Sequence, residues 1–398
     1  MLDSIYVGMT GLLGYSRGLR VIANNTANMN TPGFKSSSLQ FADLFYANSD
    51  AGGGVTGQGL GQLGFGLNTT GTSLSFKQGD LRQTGNKLDM AIDGQGLFVL
   101  RDDQGGLHYT RDGQFQFSTE GVLVSPASGA KVMGMDSNGQ FVEITLAGQM
   151  THPGKPTSRV KFSGNLSSTA TEQTVTGVKV TDASGGEHSL SLKLTSTTAT
   201  TATTAGSWKV ELMDGTTVVG SGDIVFKDGK PQPETAVLTM TYAPAGQTPV
   251  TLALDLSADV TSFAAGNLST LAMASQDGVA PGALTGSAFD TRGALTLTYA
   301  NGQTVTGTRL ALARFDSPDA VGTMGDNEFK VLDDRAWHAG MAEEGAFGSV
   351  RAGSVEISNV DLSQEFSDLV VMQRGYQASS QVISTANDML QELFSMRK

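Results

Sequence analysis

The sequence predicts a mainly β chain with an α-helix at each end, on three observations. Apolar residues recur at steps of three and four near both termini, the stretch between them alternates with a period of two, and Gly-containing turn pairs punctuate that stretch at short intervals. Near the start, Leu2, Ile5, Met9, Leu12, Ser16, Leu19, Ala23 and Thr26 fall along one helical seam, with Ser16 and Thr26 its weak points. Near the end, Leu362, Phe366, Leu369, Met372, Tyr376, Ser379, Ile383, Ala386, Leu390 and Leu393 repeat the pattern. A helix carrying all of them would be roughly 50 Å long and needs a partner along its length. This coiled-coil-like spacing points to self-assembly through the termini.

The first helix is expected over residues 3–28, ending before Thr31-Pro32-Gly33, where proline disfavours helix in the residue ahead of it. Inside it Gly8, Gly11, Gly14 and Gly18 each cost about 1 kcal/mol relative to alanine, so the helix is weak in isolation. These glycines share about a third of the circumference, away from the Leu2/Ile5/Met9 seam, and a second helix could approach closely there. Beyond it Phe41, Leu44, Phe45 and Tyr46 are expected to dock on a neighbouring surface, and the glycine-rich stretch 51–66 reads as an irregular connector.

Residues 76–135 carry short apolar runs between tight turns: Leu88-Asp89-Met90-Ala91-Ile92, Asp93-Gly94, Leu97-Phe98-Val99-Leu100 and Arg111-Asp112-Gly113. They read as a compact β domain. After Pro153 and Pro156 the composition becomes Thr-rich, with alternation over Ser189-Leu190-Ser191-Leu192-Lys193-Leu194 and a low-complexity stretch at 195–204, which reads as a second β domain. Strand signals resume at 294–299 and 310–315 around the hairpin pair Asn301-Gly302, and complete the first β domain, so that the second is an insertion. Ser358, Asn359 or Asp361 can cap the final helix, and Asp361 with Gln364 stands at capping-box spacing. The expected organisation is a helical core domain from 1–30 and 361–398 and a connector at 31–75. The first β domain takes 76–152 and 285–360, with the inserted outer β domain at 153–284.

A formal charge of −12 with no basic cluster argues against nucleic acid and anionic membrane as partners. The absence of cysteine removes disulfides, thiolate metal sites and a cysteine nucleophile. No apolar run approaches the roughly 20 residues of a membrane span, so membrane insertion is not expected. Met1-Leu2-Asp3-Ser4 has no basic region, so a cleaved secretory signal is not expected either.

Catalytic and cofactor chemistry find little support. Gly94-Gln95-Gly96 precedes an apolar strand where a phosphate cradle requires a helix, and reads as a turn. His108, His152, His188 and His338 are scattered without pairing at helical spacing, so no metal site, cofactor or general base is expected. The amides of Asn24, Asn25, Asn28 and Asn30 cluster at a helix C-terminus, where they either cap locally or bond between subunits.

Two signatures carry a resemblance. Ala23-Asn24-Asn25-Thr26-Ala27-Asn28 with Asn30-Thr31-Pro32-Gly33-Phe34-Lys35 near one end, and Ser358-Asn359-Val360-Asp361-Leu362 leading to Gln373-Arg374-Gly375-Tyr376 near the other, resemble those of the bacterial flagellar rod and hook axial proteins. Gln40-Phe41-Ala42-Asp43-Leu44-Phe45, Phe76-Lys77-Gln78-Gly79, Leu88–Ile92 and Gln303–Phe315 are similar in kind and order, and favour hook over rod. The resemblance implies a coiled terminal core domain and nested outer β domains in a structural polymer subunit, not an enzyme. It implies location in the extracellular hook of the flagellum, with export through the flagellar type III apparatus without cleavage. Its implied neighbours are the distal rod protein, the hook cap protein and the hook-filament junction proteins. The alternatives are a distal rod subunit, expected to lack the insertion at 153–284, and a secreted β-rich adhesin or enzyme that oligomerises through its helices. The stripes could also pack against each other within one globule, and the paired signatures favour assembly between chains. The residues expected to carry it are Leu2, Ile5, Met9, Leu12, Leu19, Asn24 and Asn28 with Leu362, Phe366, Leu369, Met372, Tyr376, Ile383, Leu390 and Leu393.

Overall fold

The computed structural model describes residues 2–44, 46–48, 62–198, 206–266 and 268–396. Phe45, the side chains of Leu2 and Tyr46, most of the glycine-rich connector and the Thr-rich stretch at 199–205 lie outside the described residues. The chain is mainly β, with two helices, α1 (Leu2–Ala27) and α2 (Leu362–Ser395). It divides into two compact units, the first formed by Met1–Ala147, Ser287–Leu297 and Thr306–Lys398, the second by Gly148–Gly286 and Thr298–Val305.

In the first unit α1 turns one face inward, and that face is glycine: Gly8, Gly11, Gly14 and Gly18 are buried, followed by Ile22 and Asn25. Without a Cβ at these positions α2 lies close against α1. A methyl added at Gly8 would stand 2.7 Å from Ile383 Cγ1, one at Gly11 2.6 Å from Ser379 Oγ, and one at Gly18 2.9 Å from Met372 Sδ. Rising numbers on α1 meet falling numbers on α2, so the two run antiparallel. Asp361 caps α2, its Oδ1 accepting from the Ser363 amide at 2.9 Å and the Gln364 amide at 3.3 Å. The capping box stays half formed, because the Gln364 amide group donates to Asp368 instead.

An antiparallel ribbon of Ser37–Asp43 and Leu67–Leu74 covers the next side of α1. Gly14 admits it: a methyl there would lie 2.5 Å from Leu67 Cδ1, and the Phe41 ring sits 6.1 Å from that of Tyr15. The expected docking of Phe41 thus finds its partner on α1. The β part of this unit is an antiparallel sheet in which Leu97–Arg101 pairs with Leu107–Thr110, Lys131–Met135 and the strand containing Leu312. Val99, Tyr109, Met133, Ala311, Ala313 and Phe329 form its core.

The second unit holds a five-stranded meander over Glu172–Pro231 and a four-stranded sheet in which Arg159–Asn165 lies parallel to Val250–Thr261. The alternation at Ser189–Leu194 corresponds to the strand Glu187–Thr198, whose Leu190, Leu192 and Leu194 point into a core with Trp208, Phe226, Tyr242 and Leu254. Thr298–Val305, which its hairpin signal places with the first β domain, belongs to this unit. Tyr299 Oη donates to the Gln149 carbonyl at 3.0 Å and Asn301 Nδ2 to the Ala280 carbonyl at 2.8 Å, and such tertiary bonds leave no trace in local turn chemistry.

Candidate assembly surface

The helix pair is held to the sheet of the first unit by side chains from both ends of the chain. Gly33 takes φ +71°, and a methyl on it would stand 2.3 Å from the Asp112 amide nitrogen, so only glycine fits the turn that brings the chain out of α1. Its amide donates to the Glu356 carbonyl at 2.8 Å. Two residues on, Lys35 Nζ donates to Glu356 Oε1 and to the Lys77 carbonyl, both at 2.7 Å. The Gly79 amide also donates to Glu356 Oε1, at 2.8 Å, and Arg111 Nε donates to Oε2. Arg111 spends its remaining reach on the carbonyls of Ile92, Gly94 and Gly96. Lys35, Arg111 and Glu356 are all buried, and burial pushes the Lys35 ammonium down against the pull of Glu356. Asn359 completes the junction by accepting from the Ser36 amide at 2.8 Å and donating to the carbonyls of Ser75 and Lys77.

The amide cluster at the end of α1 divides by role. Asn28 Nδ2 donates to the Asn24 carbonyl at 2.9 Å, and Asn28 Oδ1 accepts from Thr31 Oγ1 at 3.1 Å, which caps the helix locally. Asn25 is 2% exposed and bonds the ribbon through Ser37 and α2 through Glu365 Oε1 at 2.8 Å. Burial raises the Glu365 carboxyl, the Asn25 bond opposes this, and like-charged Asp368 adds to it.

The predicted stripes separate into two sets. Leu369, Met372, Ile383 and Leu390 are half-buried on the α2 face that carries buried Ala386, and both Met372 and Ile383 meet α1 within the chain. Leu362, Phe366, Tyr376 and Leu393 are exposed, as are Val370, Val371, Val382, Met389 and Phe394, none of which the stripe includes. At about 100° per residue, Leu362, Phe366 and Tyr376 flank one edge of the inward stripe while Val371, Val382, Met389 and Leu393 flank the other. On α1, Met9 is 55% exposed beside exposed Tyr6 and Leu13, while Ile5, Leu12 and Leu19 are half-buried along one edge of the glycine face. Asn24 is exposed and Asn28 half-buried, both at the end of the helix nearest the sheet.

Two grooves border this pair. One of about 720 Å³ has Arg17, Arg20, Asn24 and Asn28 along α1. The other, of about 650 Å³, is floored by Val21, Ile22, Leu39 and Met372 and rimmed by Glu365 and Asp368. Elsewhere three histidines stand against carboxylates: His108 Nδ1 lies 2.9 Å from Glu328 Oε2, His188 Nε2 2.8 Å from Asp182 Oδ2 and His338 Nε2 2.9 Å from Asp316 Oδ2. Spacing alone hid these contacts, since the partners lie up to 220 residues apart. Among the described residues no group of three or more acidic or His side chains could hold a metal ion. Glu356 was not legible as a site residue; its one signal is a charge inside the apolar run Ser354-Val355-Glu356-Ile357.

Three family models match the chain: the flagella basal body rod protein at residues 5–35, the flagellar hook protein FlgE/F/G D1 domain at 91–168, and the flagellar basal body rod FlgEFG protein C-terminal region at 351–396. The flagellar hook protein FlgE of Borreliella burgdorferi is 27% identical over 452 residues and that of Treponema pallidum 28% identical over 476, each with 100% of both chains covered. The flagellar hook protein FlgE of Escherichia coli is 28% identical over 422 residues, covering 98% of each chain.

Proposed function

We infer that the chain is a member of the bacterial flagellar rod and hook axial protein family and the self-assembling structural subunit of the flagellar hook, a reading supported by the three family models and by the hook proteins similar to it along its length. One observation carries the assembly reading: α1 and α2 bury one face against each other yet leave large apolar side chains in water, with Phe366 55% and Phe394 64% exposed. A soluble monomer rarely keeps so much apolar surface along one element, and stacking it on copies of itself removes it from water. The hook reading is favoured over the distal rod because hook proteins match the chain along nearly its whole length, residues 153–284 included.

In this reading the terminal helices build a coiled core and the β-rich parts face outward as nested domains, with 153–284 setting curvature through contacts between neighbours. The buried Lys35–Glu356–Arg111 junction makes helix pair and sheet of the first unit one rigid piece, so that torque taken up by the core reaches the exterior. The role is structural, not catalytic. The finer setting proposed is the extracellular hook, reached through the type III apparatus without cleavage, with the distal rod protein, the hook cap protein and hook-filament junction proteins as axial neighbours.

Electron microscopy of the purified chain after salting tests the reading. Curved tubes are expected. A chain that stays monomeric at every concentration, with its helices formed, would overturn it.

A further inference from the structure

The charges on the helix pair are sorted by helix at one level. Asn25 of α1 bonds Glu365 of α2, and Gly18 of α1 meets Met372, so residues 17–25 and 365–372 stand at the same height. There α1 carries Arg17 and Arg20 and no acid, while α2 carries Glu365 and Asp368 and no base. Arg17 reaches Thr69 within the chain. Arg20 is exposed and, among the described residues, neither it nor Arg17 forms an ion pair with either carboxylate, whose groove is lined by no lysine or arginine. The charge acting on Glu365 is that of Asp368, of the same sign, so the acidic rim is unneutralised within the chain. Each patch borders an open groove with an apolar wall.

We propose that neighbouring copies of this chain dock flank to flank, with Arg20 of one copy entering the groove rimmed by Glu365 and Asp368 of the next. The proposal rests on the assembly reading and gives it a specific register. Two different patches on one molecule make a heterologous contact, which closes into a ring or, where the rotation between copies does not close, repeats as an open helical polymer. Pairing at the same height lets the partner's apolar helix face meet Val21 and Met372 in the groove floor as the charges meet. Opposite charges steer and register such a contact, while like charges there repel.

Copolymerisation tests the idea. Arg20→Glu sets a carboxylate against the Glu365 and Asp368 rim and Asp368→Lys sets an ammonium against Arg20, so each variant alone is expected to raise the critical concentration for tube formation at least about tenfold. A one-to-one mixture is expected to polymerise near the wild-type concentration, because alternation restores opposite signs at each contact. The neutral variants Arg20→Gln and Asp368→Asn, which introduce no repulsion, are expected to raise it about threefold. Circular dichroism on each monomer checks that the helices persist. If wild-type chain forms tubes and the four variants do so at the same concentration, the docking register is wrong while the assembly reading stands. A mixture no better than its components also overturns the register. Wild-type chain that never polymerises removes both.

Discussion

Lys35 Nζ and Glu356 Oε1 lie 2.7 Å apart with both side chains out of water, joining positions 321 residues apart. A buried ion pair contributes little relative to an apolar replacement, but breaking it leaves an uncompensated charge. Glu356 faces two cations, so its loss should cost more than the loss of either. Glu356→Ala is expected to destabilise the first unit by about 3–5 kcal/mol. Lys35→Met leaves Glu356 with Arg111 and the Gly79 amide, and should cost less than about half of that. Urea unfolding followed through the helix signal reads the difference. Equal costs would mean that Arg111 does not share the carboxylate.

The glycines at the helix contact differ in what faces them. A methyl at Gly375 would stand 2.5 Å from Tyr15 Cζ and under 3 Å from two further ring atoms, against a rigid group. Gly375→Ala is expected to lose about 1–2 kcal/mol, overpacking outweighing the gain in helix propensity. At Gly18 the obstacle is the flexible end of Met372. Gly18→Ala should be neutral or stabilising by up to about 1 kcal/mol, the propensity gain dominating. Thermal unfolding of both variants compares them directly.

Asp112 lies beneath the Gly33 turn, and burial, with a smaller push from Asp89, raises its carboxyl to about 6. The folded chain therefore holds this proton more tightly than the unfolded chain, whose value is near 3.8. The sign follows: this group's contribution is best below about pH 4, declines as pH rises to 6 and is lost above it. Asp112→Asn keeps the oxygen that accepts from the Gln114 amide, and should stabilise the chain at pH 7 by about 1–2 kcal/mol with no gain at pH 4. Denaturation of both proteins at the two pH values measures it. A pH-independent difference would rule out titration of Asp112 as the cause.

Charges placed on the two parts of the C-terminal stripe should act differently. Leu369 is half-buried on the inward side of α2, so Leu369→Asp is expected to loosen the helix pair itself, at a cost of several kcal/mol. Phe366 is exposed, and Phe366→Asp should leave monomer stability within about 0.5 kcal/mol while abolishing tubes. Sedimentation after salting, beside thermal unfolding of the monomer, separates the two. Normal tubes from Phe366→Asp would remove this edge from the assembly surface.

The helices, their ends and the glycine face were legible because each is a local matter of periodicity, a proline boundary and the missing Cβ. Strand alternation at Ser189–Leu194 was legible for the same reason. The C-terminal stripe was only half legible. Its apolar residues share one spacing, yet Ile383 packs on Gly8 while Tyr376 and Leu393 stay exposed, and a seam of one period does not say which partner it meets.

What the chain determines by itself is therefore its local grammar: two terminal helices, a mainly β interior, and motifs at both ends that resemble those of the flagellar rod and hook axial proteins. What only tertiary structure decided is where distant groups meet. Glu356 becomes a junction because Lys35, Arg111 and the Gly79 amide converge on it across 321, 245 and 277 residues. The pairing Arg159–Asn165 with Val250–Thr261 runs parallel, which no hairpin can supply. Hydrogen bonds and ion pairs act over about 3 Å in space and are indifferent to separation along the chain, so periodicity and composition carry no record of them.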